Sequence, residues 1–388
     1  MSSFNLQQIQ EAIRQERLDG WLFSDFKHRD PLSEDILSLP ANLTNSRPWI
    51  YAVPARGEPL RIVHTIELDH LDTLPGKKTA YMSREDLFHA MISLAGKRWG
   101  VHLSEDLPAI SLLDAGTARL LEKAGIELVS AAGLVQRFKG LLSKDGIASH
   151  ERAAEALYDI IGEVWNIAKS AYHFKTPLYE NDLRQAMLDG MKKRELITDH
   201  PPIVGAGVHS GNPHYDFDGK GSLIEEGDLI QFDLWAKENT PGAIYADISW
   251  LGFFGKKVSD EIETAFKNLL SARDRTFAFI QGELEAGRTP SGAMADEYCR
   301  KALIDHGYEH AIMHRTGHGI DTECHGFGVN IDSVEFPDVR LLLDGSCFSL
   351  EPGIYFSEYG MRSEIDVYIA NGKAVISGKE RQQTMLIC

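Results

Sequence analysis

The first stretch of the chain alternates between helical and strand-like hydrophobic spacing. Leu6, Ile9 and Ile13 recur at helical intervals across 5–17, and β-prone runs follow at 20–23, 49–53 and 60–63. A helix is expected over 84–96 and a strand near 98–103. Helices near 115–124 and 131–139 flank a further strand at 126–129. Alternating helices and strands of this kind predict an α/β domain. The run Ser-Lys-Asp-Gly at 143–146 reads as a helix start or a linker. Beyond it, Ala154, Leu157, Ile161 and Val164 mark one stripe of a long helix over 148–172. We place the domain boundary near 145, giving domains 1–145 and 146–388. In the second domain, helices over 179–193, 259–285 and 289–306 are separated by strand-rich segments, which predicts an α+β domain with an antiparallel sheet.

Length and composition agree with two globular domains. The chain has 388 residues, 43% apolar and 25% charged, which is ordinary for a folded protein and excludes a disordered one. Its net charge of -17 argues against nucleic acid or an anionic membrane as a main partner. The four cysteines form no CxxC pair, so no zinc knuckle or thioredoxin-like motif is present. The polar N-terminus does not read as a signal peptide, and no apolar run is long enough to span a bilayer. A cytoplasmic protein is expected.

The chemistry concentrates in the second half. Asp233 and Asp247 lie on two β-prone runs joined by a turn rich in Thr, Pro and Gly. A hairpin centred at Thr240 would set the two carboxylates opposite each other, with Cβ atoms about 4.5–5.5 Å apart. Like charges so placed destabilise a ladder unless a cation lies between them. The alternative is one Asp in a loop and the other in solvent. Glu351 and Glu364 flank a second turn at 357–360, less cleanly. Glu351 ends an apolar run, where a lone carboxylate is costly; pairing with Arg362 is the alternative. Gly317 and Gly319 flank His318 and leave room for a ligand or metal. A Gly- and Pro-rich loop carries His209 and His214, and His325 lies seven residues beyond His318. The loop lacks the register of a phosphate loop and the strand–loop–helix context of a dinucleotide site. Four carboxylates and an imidazole suit Mn, Co, Fe or Zn.

These blocks, in this order, resemble the pita-bread-fold metallopeptidases: methionine aminopeptidase, aminopeptidase P and prolidase. The motifs are Phe-Asp-Leu at 232–234, Tyr-Ala-Asp-Ile-Ser at 245–249, Gly-His-Gly-Ile at 317–320, Glu-Pro-Gly-Ile-Tyr at 351–355 and Arg-Ser-Glu at 362–364. The resemblance implies a C-terminal pita-bread (creatinase/aminopeptidase-like) domain behind an α/β N-terminal domain. It implies that Asp233, Asp247, His318, Glu351 and Glu364 bind two divalent metal ions, Mn foremost, which activate a hydroxide. Glu351 would also move protons. His214 would steady the tetrahedral intermediate or leaving group, and His325 would contact the scissile carbonyl or product.

An N-terminal domain sets the chain nearer prolidase and aminopeptidase P than methionine aminopeptidase. The implied reaction is hydrolysis of the bond before proline, foremost in Xaa-Pro dipeptides, by a homodimer. The alternatives are an aminopeptidase P acting on longer peptides, or a pita-bread protein that binds without catalysis. A dipeptidase must also bind the free proline carboxylate, for which Arg340 and Arg362 are the candidates. Each could instead be a structural ion pair. Trp250, Asp321 and Gly326 depart from the family pattern near the pocket and bear on substrate preference.

Overall fold

The computed structural model describes residues 4–40, 42–379 and 381–388. It divides into two compact units, Met1–Lys139 and Gly140–Cys388, so residues 140–145 fall in the second.

The first unit is a six-stranded mixed sheet. Its strands are β1 (Gly20–Asp25), β2 (Trp49–Pro54), β3 (Leu60–His64), β4 (Lys77–Tyr81), β5 (Arg98–Val101) and β6 (Glu127–Ser130), in the order β4-β3-β2-β1-β5-β6. Helices α1 (Leu6–Gln15), α2 (Pro31–Ile36), α3 (Arg84–Ile92), α4 (Ala115–Lys123) and α5 (Ala132–Val135) complete it. Central β1 is buried along its whole length. Edge strand β4 carries the polar run Lys-Lys-Thr-Ala-Tyr, and lysines at an edge discourage pairing with another chain.

The second unit carries the motifs. Its long helix α6 (Lys144–Phe174) starts at Ser143, whose hydroxyl accepts the Gly146 N–H at 3.1 Å. Helices α7 (Glu180–Lys193), α8 (Asp260–Glu285) and α9 (Gly292–Asp305) follow. The first sheet holds β7 (Leu196–Ile197), β8 (Ile203–Ala206), β9 (Leu229–Glu238), β10 (Ala246–Phe253) and β16 (Leu386–Ile387). The others are β11 (Cys347–Leu350), β12 (Gly353–Tyr355), β13 (Gly360–Arg362), β14 (Ile365–Ala370) and β15 (Lys373–Ile376). Strand β14 lies between β11 and β15, and β12 pairs with β13.

Alternation along β9 and β10 decides what each face does. Ile230, Phe232, Leu234, Ala236, Ala246 and Ile248 enter the core beneath α6, where the Trp165 and Phe232 rings meet edge to face. Fully burying a side chain such as Phe232 contributes about 1.5–3 kcal/mol. The intervening positions, among them Gln231, Asp233, Asp247 and Ser249, face the other way. Among the described residues, no helix is long and apolar enough to cross a membrane.

Candidate metal centre

Strands β9 and β10 pair antiparallel with Ser249 opposite Asp233 and Trp235 opposite Asp247. The expected direct opposition of the two aspartates is therefore corrected by two residues. They are diagonal neighbours on one face, because a two-residue shift preserves the side of the sheet. The cause lies in the connection. Ala243, Ile244 and Tyr245, which read as the start of the second strand, are buried outside the ladder, and Tyr245 N–H bonds Asp321 O at 3.0 Å. Pairing thus begins only at Ala246.

The second acidic pair sits at a break between ladders. Leu350 pairs with Ile365 and Gly353 with Arg362, which leaves Glu351 across from Glu364 between them. Their backbone donors turn outward: Glu351 N–H reaches Thr316 O at 2.7 Å, and Glu364 N–H reaches Ser249 O at 3.1 Å. One glutamate is thereby tied to the His318 segment and the other to β10.

His318 is held between strands. Its N–H donates to Ser349 Oγ at 3.0 Å, and Ser349 N–H donates to its carbonyl at 2.9 Å. The flanking glycines serve backbone packing rather than ligand access, which corrects the sequence reading. A Cβ on Gly317 would lie 2.0 Å from Ser349 O, and one on Gly319 would lie 2.5 Å from the Gly328 backbone.

These elements bring the five expected residues together. Donor atoms of Asp233, Asp247 and Glu364 lie within 4.8 Å of one another, as do those of His318, Glu351 and Glu364. His318 Nε2 is 3.6 Å from Asp247 Oδ2 and 3.5 Å from Glu351 Oε1. Glu351 is part-buried; the other four are buried. Burial pushes the Asp247 carboxyl well up, and the Asp233 and Glu351 charges push it further. Glu364 is raised likewise by burial, then by Asp247 and Glu351. Burial also raises Glu351, but its neighbours, the His318 ring first and the Arg362 guanidinium next, outweigh it and hold it low. Burial lowers His318, favouring the neutral ring that a metal needs. Asp247 Oδ1 is buried with no hydrogen-bond partner among the described residues. An orphaned carboxylate oxygen in a set of crowded acids is the arrangement divalent cations satisfy, so the residues fit such ions.

A cavity of about 470 Å³ opens on this cluster, lined in part by His214, Arg315, His318, His325, Glu351 and Arg362. His214 is exposed at its rim, with its N–H on Asn212 Oδ1 at 3.1 Å. The His325 ring centre is 4.2 Å from that of His318. The His318 imidazole and burial together push His325 down to about 4.

The two arginines fare differently from expectation. Arg362 lines the cavity but spends its donors inside the protein, on Asp233, on Ser249 Oγ at 3.0 Å and on Tyr355 OH at 3.3 Å. Arg340 is absent from the cavity wall, which corrects its placement. Its guanidinium is consumed by Asp338 and by the carbonyls of Phe327 and Gly328 at 2.9 and 2.7 Å. Arg315, passed over in the sequence, lines the cavity and makes no side-chain hydrogen bond among the described residues. The signal was present, since it stands three residues before His318.

The departures from the family pattern have structural explanations. Asp321 is buried, and its carboxylate accepts the N–H groups of Glu323 at 2.9 Å and Phe327 at 2.7 Å. It fills the space a Cβ at Gly326 would need, 2.4 Å away, so the two residues go together. Trp250 faces α6, edge to face with Tyr158, and not the site.

Glu180 went unnoticed in the sequence. It is fully buried and accepts from Ala206 N, His209 Nδ1, Tyr215 OH and Ser222 N at 3.0, 2.9, 3.0 and 2.6 Å. It clamps both ends of the loop carrying His214, and His209 serves that clamp.

The fold and the acidic cluster together define a metallopeptidase. The chain belongs to metallopeptidase family M24, whose model matches residues 148–371, and its second unit has the pita-bread fold. Among curated relatives, it is 28% identical over 185 residues to a putative Xaa-Pro aminopeptidase of Mycoplasma genitalium, covering 45% of this chain and 46% of the relative. It is also 28% identical over 181 residues to an Xaa-Pro dipeptidase of Lactobacillus delbrueckii subsp. lactis, covering 45% and 43%. The chain thus spans about half the length of the curated relatives it matches. Dipeptidase PepE from Mycobacterium ulcerans shares its fold with a TM-score of 0.71 at 20% identity, over 98% of this chain and 96% of that one. Prolidase from Thermococcus sibiricus does so at 0.62 and 18%, over all of both chains.

Proposed function

We propose that this chain hydrolyses the peptide bond preceding proline, with Xaa-Pro dipeptides as preferred substrates. Two divalent cations would be held by Asp233, Asp247, His318, Glu351 and Glu364. The observation that carries this reading is the pair of three-donor sets that share Glu364. Two sets with a common carboxylate suit two neighbouring cations better than one. Manganese is the first candidate, with Co, Zn and Fe behind it. When bound, such cations supply Lewis acidity and acidify water.

The protein's own groups do the remaining work. Glu351, held low in pKa and facing the cavity, accepts a proton from the attacking water and passes it to the leaving nitrogen. His214, at the rim, hydrogen-bonds the developing tetrahedral centre. His325, pushed down to about 4, is neutral at pH 7 and contacts the substrate as an uncharged imidazole. Arg315 is placed to receive the free carboxylate of a dipeptide.

Likeness to a putative Xaa-Pro aminopeptidase of Mycoplasma genitalium supports a second reading, an aminopeptidase acting on longer Xaa-Pro peptides. Ala-Pro, Ala-Pro-Ala and Ala-Ala, each assayed with Mn, Co and Zn, separate the readings. Rapid cleavage of Ala-Pro with Ala-Ala untouched is expected. Cleavage of Ala-Pro-Ala alone would replace the dipeptidase by an aminopeptidase, and three inert peptides would end the enzymatic reading.

A further inference from the structure

Cys324 lies inside the acidic cluster. It is buried, and its Sγ is 3.1 Å from Asp247 Oδ2, to which the thiol donates. Donor atoms of Asp247, His318 and Cys324 all lie within 4.8 Å of one another. Asp247 is 5% exposed, and its Oδ1 is left with no hydrogen-bond partner among the described residues. The thiol therefore meets one oxygen of a carboxylate whose other oxygen still lacks a partner.

The local fold puts the sulfur there. Asp321 braces the loop through the N–H groups of Glu323 and Phe327, and Gly326 gives its carboxylate room. That braced loop brings both Cys324 and His325 close to the His318 ring. The other cysteines are occupied elsewhere. Cys299 packs in the core between α8 and α9, Cys347 lies 3.6 Å from His150 Nε2, and Cys388 packs against the core beneath α6.

We propose that Cys324 is a further metal ligand, completing with Asp247 and His318 a mixed sulfur, oxygen and nitrogen position. The inference rests on the metal-centre reading above and deepens it. On binding, a metal–sulfur bond replaces the S–H bond, and the proton passes to solvent. Thiolate selects softer cations, so this position prefers zinc over manganese, whereas the carboxylates around Glu364 remain a hard, oxygen-rich position. The two cation positions are thereby chemically unlike.

X-ray absorption at the zinc edge of the zinc-loaded full chain tests this without an activity readout. The expected spectrum contains sulfur at about 2.3 Å from zinc. Cys324→Ser and Cys324→Val should both lose that sulfur path, and in mixtures of zinc and manganese they should take up less zinc than the unaltered chain. Zinc loading with no sulfur in the unaltered chain would overturn the proposal and leave the five-residue centre standing. Sulfur that persists in the variants would overturn it too, by assigning the signal to another cysteine. A chain that loads no metal would refute the metal centre itself. If neither variant folds, the spectrum of the unaltered chain still decides, because the remaining cysteines lie outside the cluster.

Discussion

Arg315 presents a guanidinium to the cavity, whereas Arg362 and Arg340 are bound up with internal carboxylates and carbonyls. A planar fork on the cavity wall suits a carboxylate, and only a dipeptide offers one immediately after its proline. Replacing Arg315 by Gln should raise KM for Ala-Pro about tenfold, a loss of about 1.4 kcal/mol, with kcat nearly unchanged. The same variant should erase the preference for Ala-Pro over Ala-Pro-amide. A preference that survives the substitution would assign the carboxylate to another group. Sequence alone offered Arg340 and Arg362 because a guanidinium binds a carboxylate in a bidentate fork, with a structural ion pair as the alternative for each. Residue type does not say where a guanidinium spends its donors, and that is what removed Arg340 from the site.

The strands that carry the ligands were legible to different degrees. Alternating apolar residues identified β9 and β10 and put both aspartates on one face. Their register was missed by two, because residues 243–245 read as the start of the second strand but pack as core and leave the ladder to begin at Ala246. Glu351 and Glu364 came out opposite each other as expected, at a break between ladders that no pattern of side chains announces. Strand β4 escaped notice because a polar edge strand has no apolar alternation.

The loop holding His214 depends on α7 through Glu180, whose four donors bridge its ends. Glu180→Gln turns an acceptor-only group into one that presents an amide to several donors. Leaving buried donors unsatisfied costs about 1–3 kcal/mol, which should appear as a lower denaturation midpoint. The metal content should stay unchanged while kcat falls through the loosened His214. Full kcat in a destabilised variant would limit Glu180 to a purely structural role.

For the molecule as a whole, the crowded acids couple stability to pH and to metal. Asp247 and Glu364 are raised in the fold by burial and mutual repulsion. A raised folded pKa means the folded chain holds protons that the unfolded chain releases. Their stabilising effect is complete below the unfolded values near 4 and is lost as pH rises through the folded ones. Cations replace those protons, so metal-loaded protein escapes the loss. The gap in Tm between metal-loaded and EDTA-stripped protein should widen from about pH 5 to about pH 8. A gap that stays constant would mean these carboxyls are not the coupling groups.

The central claim is that five residues from β9, β10, the His318 segment and the break between ladders gather cations for hydrolysis before proline. Titrating manganese into stripped protein, with Ala-Pro hydrolysis and bound metal followed together, tests it most directly. Activity should appear with loading and level off at about two cations per chain, and Asp247→Asn should lose both metal and rate. Ala-Pro hydrolysis by the fully stripped protein, or an Asp247→Asn variant with full metal and full rate, would contradict the account.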